Sequence, residues 1–261
     1  MITATAIRAE VPAITEGQSV FICGHSFHLF IQKPLEALAK EAGFTSHFTV
    51  GTSMIGGSRV IQHWELPDEK NTAKRALETG KVDVLTLAPH SQIPDPGIDR
   101  FADLAFEHNP NIRVMVQISW PTEPLQTDWE QMPLRFAAYM AAAQQQIAAI
   151  NARHGRDFVS FVPVAQAYFQ LREAILAGQI PGITNFADLF KDPLGHPKPP
   201  LENLVTFCWF AAIYHRSPEG LTALDSPATP VAAKTNRALQ KIAWDAVRAA
   251  QSTDPSLKKA D

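Results

Sequence analysis

Apolar and polar positions along the chain follow two alternating periods. Short runs in which apolar or β-branched residues fill most positions are bounded by turn residues, as strands covered on both faces are. They are Ser19 to Cys23, Ser46 to Val50, Val82 to Ala88, Arg113 to Ser119 and Phe158 to Val164. Segments of helical period lie between them: Pro34 to Ala42, opened by proline in its first turn, Thr72 to Thr79, closed by Gly80, Asp99 to His108, and about Glu130 to His154, closed by Gly155. Strands alternating with helices predict an α/β domain with a parallel, doubly wound sheet of about five strands. Beyond Val164 the pattern is helical: Ala165 to Ala177, Leu201 to His215 and Val231 to Gln251. One domain over residues 18–251 is expected, with an N-terminal extension over 1–17 and a solvated tail over 252–261.

Composition narrows the class. At 261 residues, 46% hydrophobic and 19% charged, the chain can bury one large core. A net charge of −3, with no dense Lys/Arg cluster, argues against nucleic acid or an anionic lipid surface as partner. The longest apolar stretches, such as Phe207 to Tyr214, fall short of the roughly 20 residues of a membrane span, so a soluble protein is expected. The N-terminus has no apolar stretch after a basic start, which fits either a cytoplasmic chain or a mature secreted or periplasmic one. Cys23 and Cys208 each sit in an apolar segment and read as buried core thiols rather than a bridge.

In an open parallel sheet the ligand crevice lies beyond the C-terminal ends of the strands. Four unusual stretches fall there: "GHSFH", "GTSMIGGS", "PHSQIPDP" and "WPTEP". Ser26, just past the first strand, is placed either to act as a nucleophile with turn N–H groups facing an oxyanion, or to cap the next helix. A nucleophilic serine needs a base and the base an orienting carboxylate, and "DPLGHP" offers Asp192 and His196 before a late helix. His25 and His28, with His63 or His90, raise the alternative of a zinc site, although His-x-x-His without Cys or paired carboxylates is a weak metal pattern and no metal is expected. His28 is expected on the pocket wall, and His63 reads as a satisfied, partly buried histidine. Trp120 and Trp64 fit either aromatic pocket walls or ordinary core. Arg59 fits an anionic substrate or, more commonly, an ion pair. His108, His154 and His215 sit near helix C-termini, where a cation is favourable. The alanine-rich stretch over 136–155 reads as scaffold.

Taken together, these blocks resemble the SGNH or GDSL-like hydrolases. That family's nucleophile block, Gly-Asp-Ser after the first strand, matches "CGHSF" with Gly24 and Ser26, His25 standing where Asp is usual. Its second-strand glycine, an oxyanion-hole donor, matches Gly57 or Gly56 in "IGGSRVIQH". Its Asp–His block matches Asp192 and His196, spaced by four residues instead of three, so either the loop carries an extra residue or the carboxylate comes from elsewhere, for example Asp188. The Gly-x-Asn-Asp block has no counterpart, since residues 87–92 contain no Asn; His90, Ser91 or Gln92 would supply that donor, or two backbone groups suffice. The resemblance spans about residues 18 to 250. It implies a three-layer α/β/α, flavodoxin-like fold and a serine esterase, without cofactor, that hydrolyses a carboxylic ester with a short-chain acyl group or an acetylated carbohydrate. Ser26 would attack, His196 serve as base, Asp192 orient it, and the N–H groups of Ser26 and Gly57 or Gly56 hold the oxyanion, with His25, His28, His90 and Trp120 around a small-molecule ester. Two alternatives stay open: an inactive member that binds a small molecule or glycan, and a metal-dependent hydrolase built on His25, His28 and His90. Oligomeric state is left open.

Overall fold

The structure, a computed structural model, describes residues 14–225 and 233–253. Five strands form one sheet: β1 (Ser19–Gly24), β2 (Phe48–Met54), β3 (Val84–Leu87), β4 (Arg113–Gln117) and β5 (Val159–Val162). Their order is β2-β1-β3-β4-β5 and every pairing is parallel. Side chains alternate along each strand, so one face carries Val20, Ile22, Val84, Met115 and Val162 and the other Phe21, Cys23, Leu85, Leu87 and Val116. The first face is covered by the layer of α1 (Gln32–Glu41), α6 (Val164–Leu176), α7 (Pro199–Tyr214) and α8 (Ala233–Thr253). The second is covered by α2 (Val60–Trp64), α3 (Thr72–Glu78), α4 (Pro96–His108) and α5 (Met132–His154). This is the expected three-layer α/β/α arrangement.

Helix α7 is apolar nearly all round because it packs against α1 and α6 and is roofed by α8. Its Phe207, Trp209 and Phe210 are fully buried, each side chain worth about 1.5–3 kcal/mol of transfer free energy. Among the described residues no helix is long and apolar enough to cross a membrane. Cys23 and Cys208 are free and buried, as expected, and lie in the cores on opposite faces of the sheet, which keeps them apart.

Several boundaries differ from the expectation, α4 starting at Pro96 rather than Asp99 among them. The second strand runs later, over Phe48–Met54, because β1 continues to Gly24 and pairs it with Met54; residues 51–54 of "GTSMIGGS" are strand, and the loop begins at Ile55. As an edge strand β2 exposes Phe48 and Met54, at 53% and 60%, which hides its pattern in the sequence. The five-residue helix α2 was not anticipated. The long helix begins at Met132 and ends, as predicted, on Gly155 in a left-handed conformation (φ 63°). Of the last expected helix, Val231 and its neighbour lie outside the described residues, as do residues 1–13 and 254–261 of the two terminal segments.

The strand order reverses between β1 and β3, since the chain leaves β1 toward β2 on one side and β3 toward β4 on the other. A crevice opens at such a switch point.

Candidate functional site

Strand β1 ends at Gly24, where a Cβ would come within 2.7 Å of the Ala88 Cβ beyond β3. The chain then turns: the His25 carbonyl accepts N–H bonds from His28 (2.9 Å) and Leu29 (3.1 Å), leading into a 3₁₀ turn over Leu29–Ile31. Ser26 stands at the head of this turn rather than at a helix N-cap, with its hydroxyl at the crevice and 2.9 Å from His196 Nε2. His196 Nδ1 lies 2.6 Å from Asp192 Oδ2. An ionised carboxylate only accepts, so Nδ1 carries the proton, and the Nε2 lone pair receives the Ser26 hydroxyl.

The loop that brings Asp192 and His196 together is closed by a bridge between Phe190 and Pro197 and by Lys191 N–H donating to the His196 carbonyl at 2.8 Å. Asp192 Oδ1 accepts the N–H groups of Gly195 (3.1 Å) and His196 (3.2 Å). Gly195 adopts φ +97°, a region that favours glycine, and this turn absorbs the extra residue in the Asp–His spacing. The carboxylate on His196 is therefore that of Asp192, while Asp188 sits in a separate 3₁₀ turn over Phe186–Leu189. Partial desolvation works to raise the Asp192 carboxyl, but hydrogen bonds from the His196 ring and backbone and from Gly195 outweigh it and hold the group below the usual carboxylate range. Trp120 Nε1–H donates to the Gly195 carbonyl at 3.0 Å and Phe27 meets the His196 ring edge-on at 5.5 Å, so the loop after β4 and the turn after β1 both brace it.

Beneath Ser26 lies a buried polar network the sequence did not announce. Gln117 Oε1 accepts from Trp209 Nε1–H (2.8 Å) and His28 Nδ1–H (3.0 Å), and its Nε2 donates to the Phe27 carbonyl (2.9 Å) and Ser119 Oγ (2.8 Å). His28 Nε2 accepts from the Thr86 hydroxyl at 2.7 Å. His28 is thus corrected from a pocket residue to a fully buried support of the turn. Burial lowers its pKa to about 3, against the opposing Gln117 hydrogen bond, so it stays neutral.

The loop after β2 turns at Gly57, φ +60°, with Ser58 N–H donating to the Ile55 carbonyl at 3.4 Å. Among the described residues, the N–H groups of Gly56, Gly57 and Ser26 have no intramolecular acceptor. The His63 ring links Ser53 Oγ (2.8 Å) to Ser58 Oγ (2.7 Å), fully buried and satisfied, and burial lowers its pKa to about 4. Asp95 is buried and accepts the N–H groups of Val60 (2.7 Å), Ile61 (3.0 Å) and Gly97 (2.9 Å), capping α2 and α4 at once. Arg59 lies 3.7 Å from it, so the ion-pair reading of Arg59 holds.

A pocket of about 310 Å³ adjoins the Ser26 turn. His25, His90 and Trp120 lie on its wall. Burial drives the His25 pKa to about 4, partly offset by a 3.4 Å contact with the Pro89 carbonyl, leaving the ring neutral. Trp64 is elsewhere, edge-on to Phe101 and under Lys74. The first turns of α5 supply Met132, Arg135, Phe136 and Tyr139 to the wall, the last two from the stretch that the sequence suggested was scaffold. Their i, i+3, i+4, i+7 spacing is the signal that marks one helix face. Among the described residues no three His, Cys, Asp or Glu side chains converge as a metal site requires, and both His28 nitrogens are engaged in the core.

The parallel sheet in the order β2-β1-β3-β4-β5, helices on both faces, is a three-layer α/β/α fold with Ser26 and His196 at its rim. The chain is similar in structure to a DUF4886 family protein from Bacteroides uniformis, with a TM-score of 0.59, 15% sequence identity, and 95% of this chain and 100% of the other covered. A family 3 carbohydrate esterase from Clostridium thermocellum is more distantly similar, with a TM-score of 0.47 at 14% identity over 75% of this chain and 94% of the other. No protein-family model matches the sequence, and no curated protein does.

Proposed function

We propose that this protein is a serine ester hydrolase that forms an acyl-enzyme on Ser26. The observation that carries the reading is the hydrogen-bonded chain from Asp192 Oδ2 through His196 to Ser26 Oγ, 2.6 and 2.9 Å long, at the switch point of the sheet. His196, its Nδ1–H held by Asp192, takes the Ser26 proton as Oγ attacks the ester carbonyl. The N–H groups of Ser26 and of Gly57 or Gly56 are the proposed oxyanion donors, free of intramolecular acceptors and braced by Asp95 and His63. His196 then protonates the leaving alcohol, and water repeats the sequence on the acyl-enzyme. Each such donor is worth on the order of a hundredfold or more in rate. The partner is a small-molecule carboxylic ester, and the chemistry asks for no cofactor.

The test is hydrolysis of p-nitrophenyl acetate and octanoate by the wild type, Ser26→Ala and His196→Ala, with chelator in parallel samples and a serine-directed phosphonate as label. Both variants should lose about 10⁴-fold or more in kcat/KM, chelator should change nothing, and the phosphonate should label Ser26. Wild-type rates in Ser26→Ala overturn the proposal. Inert proteins and no label would favour a binding domain that keeps the crevice without the reaction, the outcome that the missing Asn after β3 would explain.

A further inference from the structure

The pocket beside Ser26 has features that a small acyl group does not use. At about 310 Å³ it is the size of a small-ligand site, and an acetyl group would leave most of it open. Its walls are flat rings: Phe27 stacks on Trp120 with centroids 4.6 Å apart and planes 7° apart, and Phe136 meets Phe169 edge-on at 4.8 Å. Such walls favour a planar aromatic ligand, which can stack or meet them edge-on.

The wall also carries a cation with no counter-ion. Arg135 is on the second turn of α5, and the positions three and four residues away are Gln131, Met132, Ala138 and Tyr139, none of them acidic. Among the described residues Arg135 makes no ion pair, and the pocket wall contains no Asp or Glu. The neutral His25 adds no competing charge. A guanidinium beside apolar walls is a bidentate partner for a carboxylate.

Orientation follows from the reaction. His196 must protonate the leaving oxygen, so the alcohol leaves on the His196 side. Ser26, His196 and Asp192 all stand outside the pocket lining, and the pocket reaches the reacting centre through His25 and Phe27, the two neighbours of Ser26. The pocket therefore takes the other part of the ester.

Resting on the ester-hydrolase reading, we infer that this pocket binds the acyl part of the substrate, and that this acyl part is an aromatic carboxylic acid with a second carboxylate paired to Arg135. Ser26 Oγ bonds to the acyl carbon while its proton goes to His196. The bond to the alcohol oxygen breaks as that oxygen takes the proton, and water then releases the aromatic diacid and restores Ser26.

The experiment compares p-nitrophenyl acetate, benzoate and 4-carboxybenzoate on the wild type and Arg135→Gln, each rate divided by the ester's own hydroxide rate. Arg135 is exposed, so the variant retains the fold. In the wild type kcat/KM should rise from acetate to benzoate, and again by about tenfold or more to 4-carboxybenzoate. Arg135→Gln should erase the second step. Acetate as the best substrate overturns the aromatic assignment, and a carboxybenzoate preference that is absent, or that survives in Arg135→Gln, overturns the role of Arg135. A parallel titration of Ser26→Ala with terephthalate, followed by calorimetry, separates this inference from the reading beneath it. If no ester is turned over but terephthalate binds and the added Arg135→Gln change abolishes it, the pocket assignment stands and the hydrolase reading fails. If terephthalate does not bind, the pocket assignment falls.

Discussion

At the residue scale, Gln117 is the most constrained polar side chain near the candidate site. All its hydrogen-bonding capacity is used, by partners up to 92 residues away in sequence. Gln117→Leu would leave His28 Nδ1, Trp209 Nε1 and the Phe27 carbonyl buried without partners, each costing about 1–3 kcal/mol. A loss of about 3 kcal/mol or more is expected in urea denaturation, with activity falling because the turn carrying Ser26 loses its anchor; an unchanged midpoint would contradict this. Sequence reasoning reached Ser26, Asp192 and His196 because each stands in a short block with its own local chemistry. It missed Gln117, whose importance comes only from distant contacts, although a lone polar residue in "VMVQI" is the available signal. His28 was misplaced for the same reason: its neighbours in sequence face the crevice while its own ring turns inward.

Among elements, the loops after β2 and β3 act as one unit because Asp95 caps both α2 and α4. Asp95→Ala removes three hydrogen bonds to a buried carboxylate, and a loss of about 2–4 kcal/mol is expected, Asp95→Asn falling between it and the wild type. Since the same carboxylate braces the "GGS" loop, the proposed ester hydrolysis should fall further than the stability loss alone explains. Chemical denaturation paired with kinetics on the folded fraction checks this, and activity equal to wild type per folded molecule would remove the positioning role. The expected helix begins at Asp99, three residues inside α4, so neither the Asp95 cap nor its service to a second helix 34 and 35 residues back was read. Most strands and helices could be read directly, since both faces of the central strands are buried. The edge strand β2 and short α2 could not, because half-exposed or one-turn elements lack a full period.

For the whole molecule, neutral histidines, three buried and His47 half-buried, couple the fold to pH. Burial lowers His25, His47 and His63 to about 4 and His28 to about 3, below the 6.5 of a free histidine. Between those limits the unfolded chain binds more protons than the folded one, so stability rises with pH there. It is fully present above about pH 6.5 and is lost as pH falls toward 4. Calorimetric Tm should therefore be level from pH 7 to 8 and decline steadily below 6.5; a Tm flat down to pH 4.5 would contradict the burial of these rings.

What the sequence determined by itself is the alternation of strands and helices and the local blocks that carry Ser26, Gly57 and the Asp192–His196 loop, because these depend on periodicity, glycine conformation and neighbours a few residues apart. Tertiary structure alone decided that Ser26 meets His196 across 170 residues, that Asp192 rather than Asp188 hydrogen-bonds the His196 ring, and that α5 turns one face into a pocket wall. Those outcomes depend on strand order and on which side chains share a buried volume, and both arise only when the sheet is assembled.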